Sequence, residues 1–130
     1  VAYYVDTSAL AKLVVEEPET AALRAWFAAA ERTPVSSDLA RTELFRAVRR
    51  AAPERAVEAR AVLDSITTLE VTTGICEHAA RLDPTILRAL DAIHLATALI
   101  LGDDLDGIVT YDERLAAAAA ANGVRVVAPT

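Results

Sequence analysis

Hydrophobic positions along the chain fall into short runs that alternate with longer stretches of helical period. Tyr3-Tyr4-Val5 is a β-rich run, and Asp6-Thr7-Ser8 behind it is a capping sequence that predicts a helix over 9–15. Pro18 suits the first turn of a second helix reaching about residue 30. Val35-Ser36 reads as a short strand, and Asp38 as the cap of a helix to about residue 50. Pro53 starts a helix to about residue 65, 69–71 form a third strand, and 75–82 are helical again. Asp83-Pro84 is a turn or helix-start signal. The next helix is established by Asp91 and runs to 101, where Gly102 stops it. Residues 107–110 form a fourth strand, and Asp112 opens an alanine-rich helix that Asn122-Gly123 ends. Residues 125–127 are the last strand.

Short apolar strands alternating with helices predict an α/β fold, a parallel sheet with helices on both faces. At 130 residues the chain is expected to be one domain spanning 1–130. That length buries about two-thirds of the unfolded surface, enough for a core without disulfides. The composition agrees, with 54% hydrophobic residues. A single cysteine, Cys76, has no partner for an internal bridge and reads as a small buried thiol. No basic segment leads into an apolar one at the N-terminus, and no apolar run approaches the roughly 20 residues of a membrane span. The expectation is a cytoplasmic protein without signal peptide or membrane contact. With no methionine anywhere, residue 1 is not read as the translational start.

The formal net charge of −6 gives no support for a nucleic-acid partner. It does not exclude one, because acids that gather around a cation are counted together with it. Four acids stand where stability alone does not require them. Asp6 and Asp112 each follow a predicted strand, and in an open parallel sheet such positions collect along one rim, where ligands bind. A helix cap explains each singly. Glu43 lies at the edge of the apolar stripe Ala40, Leu44, Ala47, Val48, Ala51, so it needs a partner, either Arg46 or Arg50 as an ion pair or something across the core. Asp91 begins a segment that is apolar nearly all round, a helix buried in the fold. A cap supported by the helix dipole is the plainer account of it.

Together the four are expected to point into one crevice. Carboxylates gathered there repel by roughly 1–4 kcal/mol per close pair, and bound cations relieve that repulsion. An all-oxygen site with no cysteine or histidine ligand suits a hard ion, Mg²⁺ or Mn²⁺. The chemistry such a site serves best is phosphodiester hydrolysis.

Four blocks, Tyr4-Val5-Asp6-Thr7-Ser8-Ala9-Leu10, Arg41-Thr42-Glu43-Leu44, Leu90-Asp91-Ala92-Ile93-His94-Leu95-Ala96 and Val109-Thr110-Tyr111-Asp112, make the sequence resemble the PIN-domain nucleases. Their order and spacing look most like VapC-type toxins of bacterial toxin–antitoxin pairs. The resemblance covers essentially the whole chain. It implies a three-layer α/β/α PIN-like fold with a central parallel sheet of four or five strands. It also implies a Mg²⁺- or Mn²⁺-dependent endoribonuclease directed at structured RNA such as tRNA, restrained by a cognate antitoxin and forming a homodimer. By the same resemblance Asp6 and Asp91 are the principal metal ligands, and Glu43 and Asp112 complete the catalytic pocket. Ser8 and Thr110 are hydroxyls beside it.

Arg46 and Arg50 share Glu43's side of the helix and suit contacts to RNA phosphate; a solvated face with ion pairs is the alternative. Trp26 and Phe27 suit core packing or an antitoxin groove. His94, three residues after Asp91, reads as a packed structural histidine. A HAD-type phosphatase requires a second Asp where Ser8 stands. A receiver domain requires a lysine near the last strand, and the only lysine is Lys12. The remaining rival is a PIN-fold binding module, working through antitoxin binding and autoregulation without significant turnover.

Overall fold

The computed structural model describes residues 1–130. Chain order runs β1 (Ala2–Val5), α1 (Thr7–Val14), α2 (Thr20–Ala28), β2 (Thr33–Ser37) and α3 (Asp38–Ala51). A single 3₁₀ turn at Pro53–Arg55 leads into α4 (Ala56–Asp64), β3 (Thr67–Leu69), α5 (Thr73–Ala80) and α6 (Ala89–Leu99). A second 3₁₀ turn at Gly102–Asp104 precedes β4 (Leu105–Val109), α7 (Glu113–Ala121) and β5 (Val126–Val127). The five strands are all parallel, in the order β3-β2-β1-β4-β5. The chain winds outward from β1 to β3, then returns to lay β4 on β1's other side. The order therefore reverses between β1 and β4, and the carboxyl ends of those two strands open the crevice where such sheets bind ligands.

Strand alternation divides the core into two layers. Tyr3 and Val5 of β1 join Val109 against Leu10 of α1, Leu44 and Val48 of α3 and Leu63 of α4. Tyr4 and Ile108 point to the opposite face and meet Leu95 of α6 and Leu115 of α7. Ile75 and Ala79 of α5 pack on Ala92 and Ala96 of α6. Covered on both sides, α6 carries six buried residues in eleven, which is why it is apolar nearly all round. Gly107 lets β4 sit close to its neighbours: a Cβ there would stand 3.0 Å from the Arg125 carbonyl and 3.2 Å from the Tyr3 ring.

Several boundaries differ from expectation for local reasons. Ser37, not Asp38, caps α3, its hydroxyl accepting from the Leu39 N–H, and Asp38 is the first helical residue. Pro18 lies before α2, which begins only at Thr20. The third strand is 67–69 rather than 69–71, because its register is set by pairing Thr67 with Val35 and Leu69 with Ser37. Cys76, expected inside, is exposed. Ile75 and Ala79, four apart, take the inner face of α5 and turn the thiol outward. No helix is long and apolar enough to cross a membrane.

Candidate active site

Asp6 is the first residue beyond β1, in extended conformation, and is 4% exposed. One carboxylate oxygen, Oδ1, accepts from the Ala9 N–H at 3.1 Å, capping α1, and from the Ser8 hydroxyl at 2.7 Å. The other, Oδ2, accepts from Thr110 Oγ1 at 2.6 Å. Burial raises the pKa of Asp6, and these three donors oppose the rise by stabilising the charge. The same hydroxyls join the two strand ends. Ser8 Oγ accepts from the Tyr111 N–H at 2.9 Å, and Thr110 Oγ1 accepts from the Asp112 N–H at 3.0 Å. Asp112 then caps α7, with Oδ1 accepting from the N–H groups of Arg114 and Leu115 at 2.9 and 3.2 Å. For Asp6 and Asp112, capping and the site are thus compatible: each uses the cap to hold its carboxylate at the rim.

Asp91 caps nothing. It is the third residue of α6, whose N-cap position is Arg88 with no side-chain bond, so the capping account of Asp91 fails. Its pKa is raised by burial first, then by the charge of Asp112, with further upward pushes from Asp6 and Glu43 and an opposing one from His94. Asp91 therefore stands in the field of all three other acids.

Glu43 has neither Arg46 nor Arg50 as a partner. Its Oε1 accepts from Thr7 Oγ1 at 2.7 Å and lies 2.5 Å from His94 Nε2. Burial alone would raise its pKa, but the bonds from His94 and Thr7 outweigh it and hold the pKa below the ordinary value. His94 is 3% exposed, as a packed histidine would be, yet it is not merely packed: its Nδ1 meets the Tyr4 hydroxyl at 2.6 Å. Tyr4, Thr7 and His94 are the site residues that sequence reasoning missed. A signal was present in two of them. His94 stands at i+3 from Asp91, on the same side of α6, and Thr7 adjoins Asp6.

Arg46 and Arg50 lie about 5 Å and about 10 Å further along the axis of α3 from Glu43. Both are exposed, and with Arg49 they line a concavity of about 400 Å³ without any carboxylate partner. Trp26 and Phe27 are half-buried and pack against the core from its edge. Trp26 stands edge-on to Tyr3 at 4.8 Å, and Phe27 lines an open groove with Leu10, Leu13, Pro34 and Ile66, flanked by Arg24 and Arg32.

The donor set fits a hard divalent cation. It consists of four carboxylates, three of which raise the pKa of the fourth by their charge, and Mg²⁺ commonly takes only one or two carboxylates while keeping several waters. No three acidic or imidazole side chains stand together as a finished chelate. Both oxygens of Asp6, Oε1 of Glu43 and Oδ1 of Asp112 are engaged by donors within the chain.

A PIN domain family profile matches residues 3–121. The chain is 44% identical over 130 residues to ribonuclease VapC46 of Mycobacterium tuberculosis, covering 99% of this chain and 98% of that protein. It is 43% identical over 116 residues to ribonuclease VapC47 of the same species, covering 86% and 85%. Among solved structures, VapC20 of M. tuberculosis, a sarcin-ricin loop cleaving toxin, matches with a TM-score of 0.75 at 21% identity, over 89% of this chain and 94% of that one. A toxin–antitoxin complex from Klebsiella pneumoniae matches with a TM-score of 0.74 at 21% identity, over 98% of each chain. At these identities the structural matches bear on the fold.

Proposed function

Since the chain belongs to the PIN-domain family and is of the VapC toxin type, we propose that it is a Mg²⁺- or Mn²⁺-dependent endoribonuclease acting as the toxin of a toxin–antitoxin pair. The observation that carries this reading is the placement of Asp6 and Asp112 just past the carboxyl ends of β1 and β4, joined through Thr110 Oγ1 at the strand-order reversal. Asp91 and Asp6 would hold the cation, Asp91 being the acid with no hydrogen-bond donor of its own. Held there, a divalent cation would supply Lewis-acid stabilisation of the phosphate and a lowered pKa for the attacking water. Glu43 offers Oε2, the oxygen not occupied by Thr7 and His94, to orient that water or take its proton. Asp112 keeps Oδ2 free of its cap bonds and completes the polar rim. Arg46 and Arg50 supply positive charge along α3 for flanking phosphates, as a strand of RNA lying across the site requires.

Structured RNA such as tRNA is the proposed substrate. The cognate antitoxin is proposed to cover the groove of Leu10, Leu13, Phe27 and Ile66, where an apolar floor flanked by two arginines suits an amphipathic segment carrying acidic residues. The homodimer is proposed with it and is checked by sedimentation. The deciding experiment is incubation of antitoxin-free protein with total cellular RNA in Mg²⁺, Mn²⁺ or EDTA, alongside Asp91→Asn. Discrete cleavage that needs metal and disappears in the variant supports the reading. Intact RNA under every metal condition, with the fold retained, overturns it in favour of a binding module.

A further inference from the structure

Glu43 projects from α3 at the edge of the core, 26% exposed, and a long carboxylate in that position would sweep through solvent if nothing held it. Two groups do. Thr7 Oγ1 donates to Oε1 at 2.7 Å, and His94 Nε2 stands 2.5 Å from the same oxygen. The imidazole is held in turn at its other nitrogen by the Tyr4 hydroxyl at 2.6 Å, and Tyr4 is wholly buried in β1. An ionised carboxylate only accepts, so a contact this short requires a proton on Nε2. With Nε2 protonated, the other ring nitrogen, Nδ1, meets the Tyr4 hydroxyl, and both nitrogens of the ring have a partner. The opposite tautomer would press an imidazole lone pair against the carboxylate.

We propose that His94, fixed by Tyr4, is a positioning residue for the nuclease reaction: with Thr7 it saturates Glu43 Oε1 and leaves Oε2 as the single oxygen that acts in the carboxylate pocket. The inference rests on the nuclease reading above. A histidine serving packing alone needs no partner at the site. This one spans three elements, β1, α6 and α3, and ends on an acid of the pocket. Because His94 lies on α6 one turn after Asp91, that helix sets one acid directly and a second through the imidazole. The relation between Asp91 and Glu43 is thereby tied to the interior of the sheet instead of to the surface of α3.

The test has two arms. In metal-free, ¹⁵N-labelled protein, long-range imidazole correlations should show His94 Nε2 protonated, with the Nδ1 resonance shifting in Tyr4→Phe. In the second arm, Mg²⁺ binding by calorimetry and RNA cleavage against Mg²⁺ concentration are compared for wild type, Tyr4→Phe, His94→Leu and His94→Gln. Loss of a residue that orients a ligand typically costs about 10–100-fold in metal affinity or activity. His94→Leu should therefore need roughly tenfold more Mg²⁺ and lose roughly tenfold in kcat, with KM for RNA unchanged. Tyr4→Phe should fall between it and wild type. His94→Gln, which keeps an N–H donor, should recover much of the loss.

An unprotonated Nε2 overturns the proposal. So does a His94→Leu protein that melts earlier but keeps the wild-type metal dependence, the signature of packing alone. If His94→Leu does not fold, Tyr4→Phe and the imidazole spectrum decide. Failure of wild type to cut RNA would overturn the nuclease reading, while the spectrum and the calorimetry would still judge the positioning of Glu43.

Discussion

Replacing Asp91 by Asn removes one charge from a site where three others raise its pKa, without removing any hydrogen bond or cap. In metal-free protein the change relieves repulsion of about 1 kcal/mol per close pair at the high effective dielectric of a partly exposed site. It also loses the favourable placement of an acid in the first turn of α6, about 0.3–1 kcal/mol. Against the Asp112 charge alone the balance favours the variant by up to about 0.7 kcal/mol, or a rise in Tm of at most about 3 °C for a chain of this size. Magnesium reverses the order. At a concentration of about 100 Kd it stabilises wild type by about 2.7 kcal/mol, and it should do little for the variant.

The pH dependence carries the same information. Asp91's folded pKa is raised by burial and by its acidic neighbours. Its favourable contribution is therefore complete below the unfolded carboxylate pKa, about 3.9, and is lost as pH rises through the higher folded value. Acidifying metal-free wild type from neutral pH through that window should stabilise it relative to Asp91→Asn. Asp6, raised by burial, adds to the acid-side gain in both proteins, and Glu43, whose pKa is lowered, opposes it. Thermal melts followed by circular dichroism, in EDTA and in Mg²⁺ from neutral pH down to about 4, read all of this. A variant that melts below wild type in EDTA, or a wild type indifferent to Mg²⁺, refutes the shared-pocket argument.

Three further outcomes are expected. Thr110→Val removes the 2.6 Å donor to buried Asp6 and the acceptor of the Asp112 N–H, and should cost about 2–3 kcal/mol in urea denaturation; a change under 0.5 kcal/mol would mean the two strand ends are held by packing. Arg46→Ala combined with Arg50→Ala should raise KM for RNA, leave kcat unchanged, and reduce the salt slope of binding by about 1.4 if each arginine neutralises one phosphate. An unchanged slope would place the RNA elsewhere. Leu44→Ala opens the fully buried layer under β1 and should destabilise by about 2–5 kcal/mol while leaving activity intact well below Tm, a separation that comparing melts with cleavage rates at low temperature would check.

Much of this architecture is local information and can be read from residues in order. Strand runs, caps and stops identify every β-strand and α-helix of the fold, because alternation and helical period depend on neighbours a few positions apart. The ends blur where tertiary pairing outweighs local preference. β3 shifts by two residues to match β2, and Cys76 faces water because Ile75 and Ala79 claim the inner face of α5. The four acids stood out as residues poorly explained by stability, and their order carried the family resemblance. What they touch is another matter. The expected partners of Glu43 were the arginines on its own helix, since a sequence shows only neighbours along the helix. The structure instead joins it to Thr7, 36 residues away, and to His94, 51 away, with Tyr4 a further 90 positions from that histidine. Those bonds exist because a parallel sheet with a strand-order reversal brings the carboxyl end of β1, the starts of α1, α6 and α7 and the second turn of α3 to one crevice. Residue types and spacing determined which groups were available, and only the winding of the chain decided that Oε1 of Glu43, and not Oε2, meets Thr7 and His94.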